Sequence, residues 1–419
     1  MASGLPRRDR QGCEYAAYLP DLLSERTFHL RGDVAADIAD AEAAIQRLNL
    51  EATSLADSEA LARLLLRAEA VASSKIEGLE ISGRRLLRAE MASALGEKRA
   101  DVTAEEVVGN IRAMSWSVSE MAAARRIQVS HLLEAHRQLM VGTPLEALGG
   151  HIREKQNWIG GSSYNPCSAE FVPPPPDHVS PLLEDLCEFC NQDDLPAIAQ
   201  AAIAHAQFET IHPFADGNGR TGRALIHVIL RRRGLAPRVS PPISLVLATR
   251  SRDYMQGLAA TRYQGSPSGT QAVESLNRWI ATFAAASHRA VDDAEIFERH
   301  VVELSSQWRS RIGRVRKGSA TDLLIGALPG APIVTVGSAA TLIKRSFPAT
   351  NNAVNQLTKA GVLQQVRIGR RNRAFEASEL IDVFTDLERR LASPVGDTAT
   401  APPARPTPRR ADRQPRLQA

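Results

Sequence analysis

Apolar positions along the chain recur mostly at helical spacing. Residues 33–72 carry Ala, Leu and Arg in that rhythm, with Leu61, Leu64, Leu65, Ala68 and Ala72 marking one stripe. Asp57 or Ser58 can cap this helix at its start, and Gly78 can end it. Further helical patterns cover about 103–122, 129–140, 180–190, 195–210, 219–233, 251–263 and 270–300. Between 141 and 176 the rhythm breaks into Gly, Asn, Ser and four consecutive prolines, Pro173 to Pro176. Inside that break, Asn157 to Ile159, a Gly/Ser/Asn-rich turn, and Glu170 to Val172 can pair as a short hairpin.

Beyond residue 300 the character changes. Trp308 to Gly318 is dense in cations, and three short helical patterns between Pro332 and Phe384 precede two strand-like stretches around a basic turn. Helix-helix-helix-hairpin is the order of a winged helix-turn-helix. Its recognition helix would be Asn351 to Ala360, with Arg367, Arg370, Arg371 and Arg373 in or near the wing. Such a face can track phosphates along DNA, and winged helices equally mediate protein contacts; the pattern leaves both open. From Ser393 the chain is rich in Pro and Arg with few apolar residues, so disorder is expected there.

Composition narrows the class. A length of 419 residues exceeds what one core usually organises, so two or three domains are expected. The 43% hydrophobic and 23% charged fractions suit a globular protein, and the net charge of +4 is too small to imply a polyanion partner by itself. Four cysteines (Cys13, Cys167, Cys187, Cys190) do not make a disulfide framework and suggest a reducing compartment. Cys187 and Cys190 form one C-x-x-C in an apolar helix with no second ligand pair, so they read as buried cysteines rather than a zinc site. The first residues lack a signal-peptide apolar stretch, and no apolar run approaches bilayer length; a cytoplasmic protein without a membrane partner is expected.

The chemistry concentrates in His212 to Arg223, HPFADGNGRTGR. Gly217 and Gly219 permit tight turns, and a helical pattern follows to Leu230. A glycine-rich helix start collects free N–H groups and the positive end of the dipole, which suits an anion. Arg220 and Arg223, three residues apart, share a face there. Each opposes the dipole at a cost of roughly 0.3–1 kcal/mol, which an anion such as polyphosphate would offset. Asp216 is a lone carboxylate suited to Mg²⁺, and Asn218 can donate to a phosphate oxygen. His212, four residues upstream, can act as a general base near neutral pH. Alone it would read as a structural histidine, as His205 and His227 do; its company changes that reading.

This stretch resembles the Fic motif, histidine-x-phenylalanine-x-acidic-glycine-asparagine-glycine-arginine-x-x-arginine, at every specified position. The resemblance implies that His212 deprotonates a target hydroxyl, that Asp216 holds Mg²⁺, and that Asn218 and the loop residues Phe214, Gly217 and Gly219 belong to the nucleotide site. It also implies that Arg220 and Arg223 hold the pyrophosphate end of ATP. AMP would then pass to a Ser, Thr or Tyr of a client protein. The related Doc kinases carry lysine where this chain has Gly219, and deliver the γ-phosphate instead. The stretch from Gln156 to Pro176 is similar to the Fic flap that pairs with an extended client segment. SSKIEG, Ser73 to Gly78, is similar to the family's inhibitory motif. Glu77 near a helix end and the arginines at a helix start are opposite charges, each relieved by meeting the other.

The expected architecture is mainly α. It comprises an N-terminal inhibitory helical region (1–100), a Fic-type helical core with a short β-hairpin flap (101–295), a linker helix with a winged helix-turn-helix (296–390), and a basic tail (391–419). The expected function is AMP transfer from ATP with Mg²⁺, held off by Glu77 with Ser73 orienting it. Two alternatives stand beside it: a DNA-binding regulator whose Fic domain is regulatory, and the reverse reaction, in which Glu77 activates water to remove AMP. A homodimer is left open.

Overall fold

The computed structural model describes residues 12–51, 58–97, 101–162, 164–368 and 372–391. The N-terminal half contains α1 (Gly32–Glu51), α2 (Ser58–Ile76), α3 (Gly83–Ala94), α4 (Val102–Trp116) and α5 (Val129–Met140). The middle holds α6 (Pro176–Cys190), α7 (Ala197–Ile211), α8 (Asn218–Arg232), α9 (Ile243–Thr249), α10 (Ser251–Ala260) and the long α11 (Thr270–Ile312). A C-terminal module follows: α12 (Ala320–Ala327), β1 (Ile333–Val334), α13 (Val336–Ile343), α14 (Phe347–Lys359), β2 (Gln364–Ile368), β3 (Asn372–Glu376) and α15 (Ser378–Leu391). Its strands form an antiparallel sheet in the order β1-β3-β2. No helix among the described residues is long and apolar enough to cross a membrane.

The core is organised around α7, which is buried along its whole length. Its sequence, AIAQAAIAHAQFETI, is apolar on nearly every side, as a central helix must be. Among its few polar groups, Gln200 Nε2 donates to the Phe189 carbonyl at 2.9 Å, and His205 Nε2 lies 2.8 Å from the Tyr254 hydroxyl. Helix α8 packs along α7, and α11 closes the other side with Trp279, Phe283 and Phe297 buried. Trp279 Nε1 donates to the Ala202 carbonyl at 2.8 Å, so even this indole pays no unsatisfied donor.

Several elements depart from the pattern-based reading. The single helical rhythm of 33–72 becomes α1 and α2, separated by residues outside the description, Asp57 among them. Gly78, at φ +81°, does end the turn after α2. Helix α3 was not expected, because only Leu86 and Leu87 mark its buried face in a charged stretch. Helix α11 runs past 300 to Ile312, its last-turn Arg309 and Arg311 paired with Asp322 and Glu379. The flap is a single bridge, Ile159 to Phe171, rather than a ladder. On its outer side the Tyr18 N–H donates to the Val172 carbonyl at 2.9 Å.

The cysteine expectation needs correction. Cys13 and Cys167 form a disulfide across a separation of 154 residues, joining the N-terminal segment to the flap. Cys187 and Cys190 are free and buried. A pairing this distant in sequence leaves no spacing signal, and with a disulfide present the argument for a reducing compartment loses its ground. The expected tail from residue 392, and wing residues Arg370 and Arg371, lie outside the described residues.

The C-terminal module shares a core with the N-terminal helices. Leu87 of α3 clusters with Ile333, Ile368, Ala374 and Ile381. Arg88 Nη2 donates at 2.8 Å to Glu376 on β3, a carboxylate only 2% exposed. Arg88→Ala strands that charge with Arg84 3.7 Å away as its remaining cation. We expect the substitution to lower stability by about 1–3 kcal/mol in urea unfolding, the usual cost of leaving a buried charged acceptor under-satisfied.

Candidate active site

Helix α7 ends on His212, which sits at φ +50°, ψ +59°. Left-handed backbone is uncommon for a residue with a side chain and needs surrounding support. That support is visible. The His212 carbonyl accepts from Arg153 Nε at 2.8 Å and from Asn157 Nδ2 at 3.3 Å, while its N–H caps the helix at the Phe208 carbonyl. Asn157 Nδ2 also reaches the Phe214 carbonyl at 3.1 Å, so the flap and the loop are tied together. Burial, with the Arg262 and Arg153 cations, pushes the imidazole down to about 4. The ring is therefore neutral at pH 7, the state a base requires. Its Nδ1 lies 4.0 Å from Glu209 Oε2.

The loop after His212 is anchored by its apolar residue and stapled by its asparagine. The buried Phe214 ring stacks on His136 at 3.8 Å between centroids. Asn218 accepts from the Phe214 N–H and donates to the Phe214 carbonyl, both at 2.8 Å. Read from sequence as a phosphate donor, Asn218 here spends its amide on the loop itself. Gly217 begins α8 at φ +77°, and a Cβ there would lie 2.6 Å from Met140 Cε, so only glycine fits. Asp216 projects outward, its side chain 48% exposed. One of its oxygens accepts from the Gly217 N–H at 2.7 Å, and the other lies 3.4 Å from Arg220 Nη2.

Arg220 is buried, and its Nε has no partner. A buried, unmatched guanidinium donor at a helix start is the mark of an anion site. Arg223, 1% exposed, is fully engaged by α2. Its Nε donates to Ser73 Oγ at 2.9 Å, and its Nη2 donates to the Ser73 carbonyl and to Glu77 Oε1, both at 2.7 Å. Ser73 was expected to orient the Glu77 carboxylate; it grips the arginine instead. The Glu77 oxygen lies so close over Gly219 that a Cβ there would fall 2.0 Å from it. The chain's own carboxylate thus sits at the start of α8. Burial would raise the Glu77 carboxyl, but the Arg223 charge and hydrogen bond outweigh it and hold the group below its ordinary value.

The motif residues from His212 to Arg223, with Ser73 and Glu77, are brought together here. Residues the sequence reading missed complete it: His136 under the loop, Arg153 at the His212 carbonyl, and Tyr254, 3.4 Å from Arg223 Nη1. Glu209 joins them, buried beside Arg223 and pushed up to about 7 by that burial. Only Glu209, one turn before His212, carried a spacing signal that could have found it.

The geometry agrees with comparisons to known proteins. Residues 126–230 match the Fic/DOC family, and residues 35–119 match the Fic/DOC family N-terminal model. The chain thus carries a Fic/DOC region at residues 126–230 with a Fic/DOC N-terminal region before it. It is 35% identical over 132 residues to protein adenylyltransferase fic-1 of Caenorhabditis elegans, a match covering 30% of this chain and 23% of that protein. It is 32% identical over 140 residues to protein adenylyltransferase Fic of Drosophila willistoni, covering 32% of this chain and 26% of that protein. The chain therefore spans about a quarter of the length of the curated relatives it matches. A crystal structure of a Fic family protein from Desulfovibrio desulfuricans G20 shares the fold at a TM-score of 0.50 and 22% identity, covering 84% of this chain and 97% of that one.

Among the described residues no group of three or more His, Cys, Asp or Glu is arranged to hold a metal. Mg²⁺ does not need one, since it takes one or two carboxylates and fills the rest with phosphate oxygens and waters. The exposed Asp216 carboxylate beside Arg220, whose Nε has no partner, fits that demand.

The depressed Glu77 carboxyl makes a signed prediction. A carboxyl lowered in the folded state adds stability above its unfolded value, and that stability fades as pH falls through the folded value. Glu77→Gln should melt lower than the parent at pH 7, by about 1–3 kcal/mol for a lost charged partner. The gap should close below the ordinary value of 4.5, as the parent carboxylate itself protonates. Thermal melts of both proteins from pH 7 to pH 3 check this.

Proposed function

We propose that this protein transfers AMP from ATP to a hydroxyl side chain of a client protein, and that Glu77 holds the activity off. The observation that carries the reading is a carboxylate seated on a helix start, gripped by Arg223, beside a neutral, half-buried histidine. A helix start with two arginines is shaped for phosphate, and Glu77 occupies it as an internal anion. The names of the relatives, protein adenylyltransferases, support the same chemistry.

In this mechanism His212 takes the proton from the client hydroxyl as its oxygen attacks the α-phosphorus of ATP. The new oxygen–phosphorus bond forms in line as the bond to pyrophosphate breaks, and pyrophosphate leaves with its charge against Arg220 and Arg223. Mg²⁺ bound with the nucleotide would be held by Asp216, and would neutralise phosphate charge there. Left in place, Glu77 keeps Arg223 from the γ-phosphate, so the triphosphate settles with its α-phosphorus out of line. Misplacement of this kind can cost about 10²-fold in rate.

Glu77→Gly should therefore raise incorporation of labelled AMP, including into the protein itself. Adding His212→Ala should remove that gain by about 10²–10⁴-fold while ATP binding persists. A Glu77→Gly variant no more active than its parent would overturn the inhibitory role.

A second reading concerns the C-terminal module, whose helix order and β1-β3-β2 sheet fit a winged helix-turn-helix. Helix α14 turns Asn352, Asn355 and Lys359 outward, and Lys344, Arg345 and the β2 residue Arg367 are exposed nearby. Amides that can read base edges beside cations that can meet phosphates favour duplex DNA as a partner. The full chain should shift a labelled duplex in a salt-dependent manner, and Arg367→Ala should lower the salt slope by about one.

A further inference from the structure

His136, on α5, stands outside the motif yet touches the active loop from three sides. It is fully buried. The Gly150 N–H donates to its Nδ1 at 3.0 Å, so that nitrogen is an acceptor and carries no proton. The ring's one proton is therefore on Nε2, which lies 3.0 Å from the main-chain carbonyl of Asp216 and donates to it. The ring face stacks on Phe214 with 8° between the planes. Its Cδ2 also stands 3.4 Å from where a Cβ on Gly217 would project, closing the space behind the loop. Both ring nitrogens are thereby satisfied, and the donor is committed to the Asp216 peptide itself.

We propose that His136 is a positioning residue for Asp216. Its Nε2–H pins the Asp216 peptide and its ring pins Phe214, so the Asp216 carboxylate is presented beside Arg220 in the one orientation in which it can take the Mg²⁺ that accompanies the nucleotide. Groups that orient a metal-binding residue from behind commonly alter metal affinity by about 10–100-fold when removed. The inference rests on the proposed reading of this site as one for ATP and Mg²⁺; only its kinetic arm needs AMP transfer.

Two variants separate orientation from packing, each made in the full-length Glu77→Gly chain. His136→Phe keeps an aromatic ring against Phe214 and removes both hydrogen bonds. His136→Gln gives up the ring and restores an N–H donor that can reach the Asp216 carbonyl. The first measurement is the affinity for ATP by calorimetry, with and without Mg²⁺. His136→Phe should leave metal-free ATP affinity unchanged and reduce the gain from Mg²⁺ by about tenfold or more, with His136→Gln recovering part of it. The second is AMP transfer against Mg²⁺ concentration, where His136→Phe should lower kcat and raise the half-saturating Mg²⁺ with KM for ATP at saturating metal nearly unchanged. The inference is overturned if His136→Phe keeps the full Mg²⁺ gain, or if both variants lose it only in proportion to a lowered melting temperature. If the Glu77→Gly parent transfers no AMP, the functional reading fails, and the calorimetry still decides the role of His136.

Discussion

Arg223 is a guanidinium with almost no access to water, placed on the first turns of a helix whose dipole repels it. A cation in that position is tolerable only if acceptors surround it, because desolvation of an unpaired charge costs several kcal/mol. The acceptors come from α2: the Ser73 hydroxyl, the Ser73 carbonyl and the Glu77 carboxylate. The hydroxyl of Tyr254 completes the ring on the far side. The N-terminal helices thus answer the electrostatics of α8. An anion from outside could satisfy the same arginine, and in the proposed function a nucleotide and Glu77 compete for one seat.

Around that seat the loop is built from rigid parts. The left-handed His212 is held at its carbonyl by Arg153 and Asn157. Asn218 closes the loop on Phe214, and α5 supports it from below through His136, Leu139 and Met140. Gly217 sits in left-handed backbone with α5 directly behind it, and Gly219 has the Glu77 carboxylate close above it. Under the proposed function, groups held this way need little reorganisation when a substrate arrives.

Helix α3 carries the arrangement outward. It follows α2 after a short turn, with Arg67 of α2 paired to Glu90 of α3 at 2.9 Å. Its other face contributes Leu87 and Arg88 to the C-terminal sheet. Glu77, the helix that follows it and the C-terminal module are therefore joined through packed and paired side chains.

Sequence by itself determined the loop chemistry and most of the helices. The motif from His212 to Arg223 is contiguous, so its residues share a site whatever the rest of the fold does. Helix α5 could be read to the residue because its apolar stripe is strictly periodic. The resemblance to the inhibitory motif, with the charge argument beside it, brought Glu77 toward the arginines, since each was awkward on its own helix. What depended on contacts between distant segments was not legible. The Cys13–Cys167 bridge, the gripping of Arg223 by Ser73 and the shared core of α3 with the C-terminal sheet each join positions far apart in the chain. No periodicity encodes such meetings. His136, Arg153 and Tyr254 became part of the site only through tertiary packing, because the directions of their hydrogen bonds exist only once the helices have been brought together.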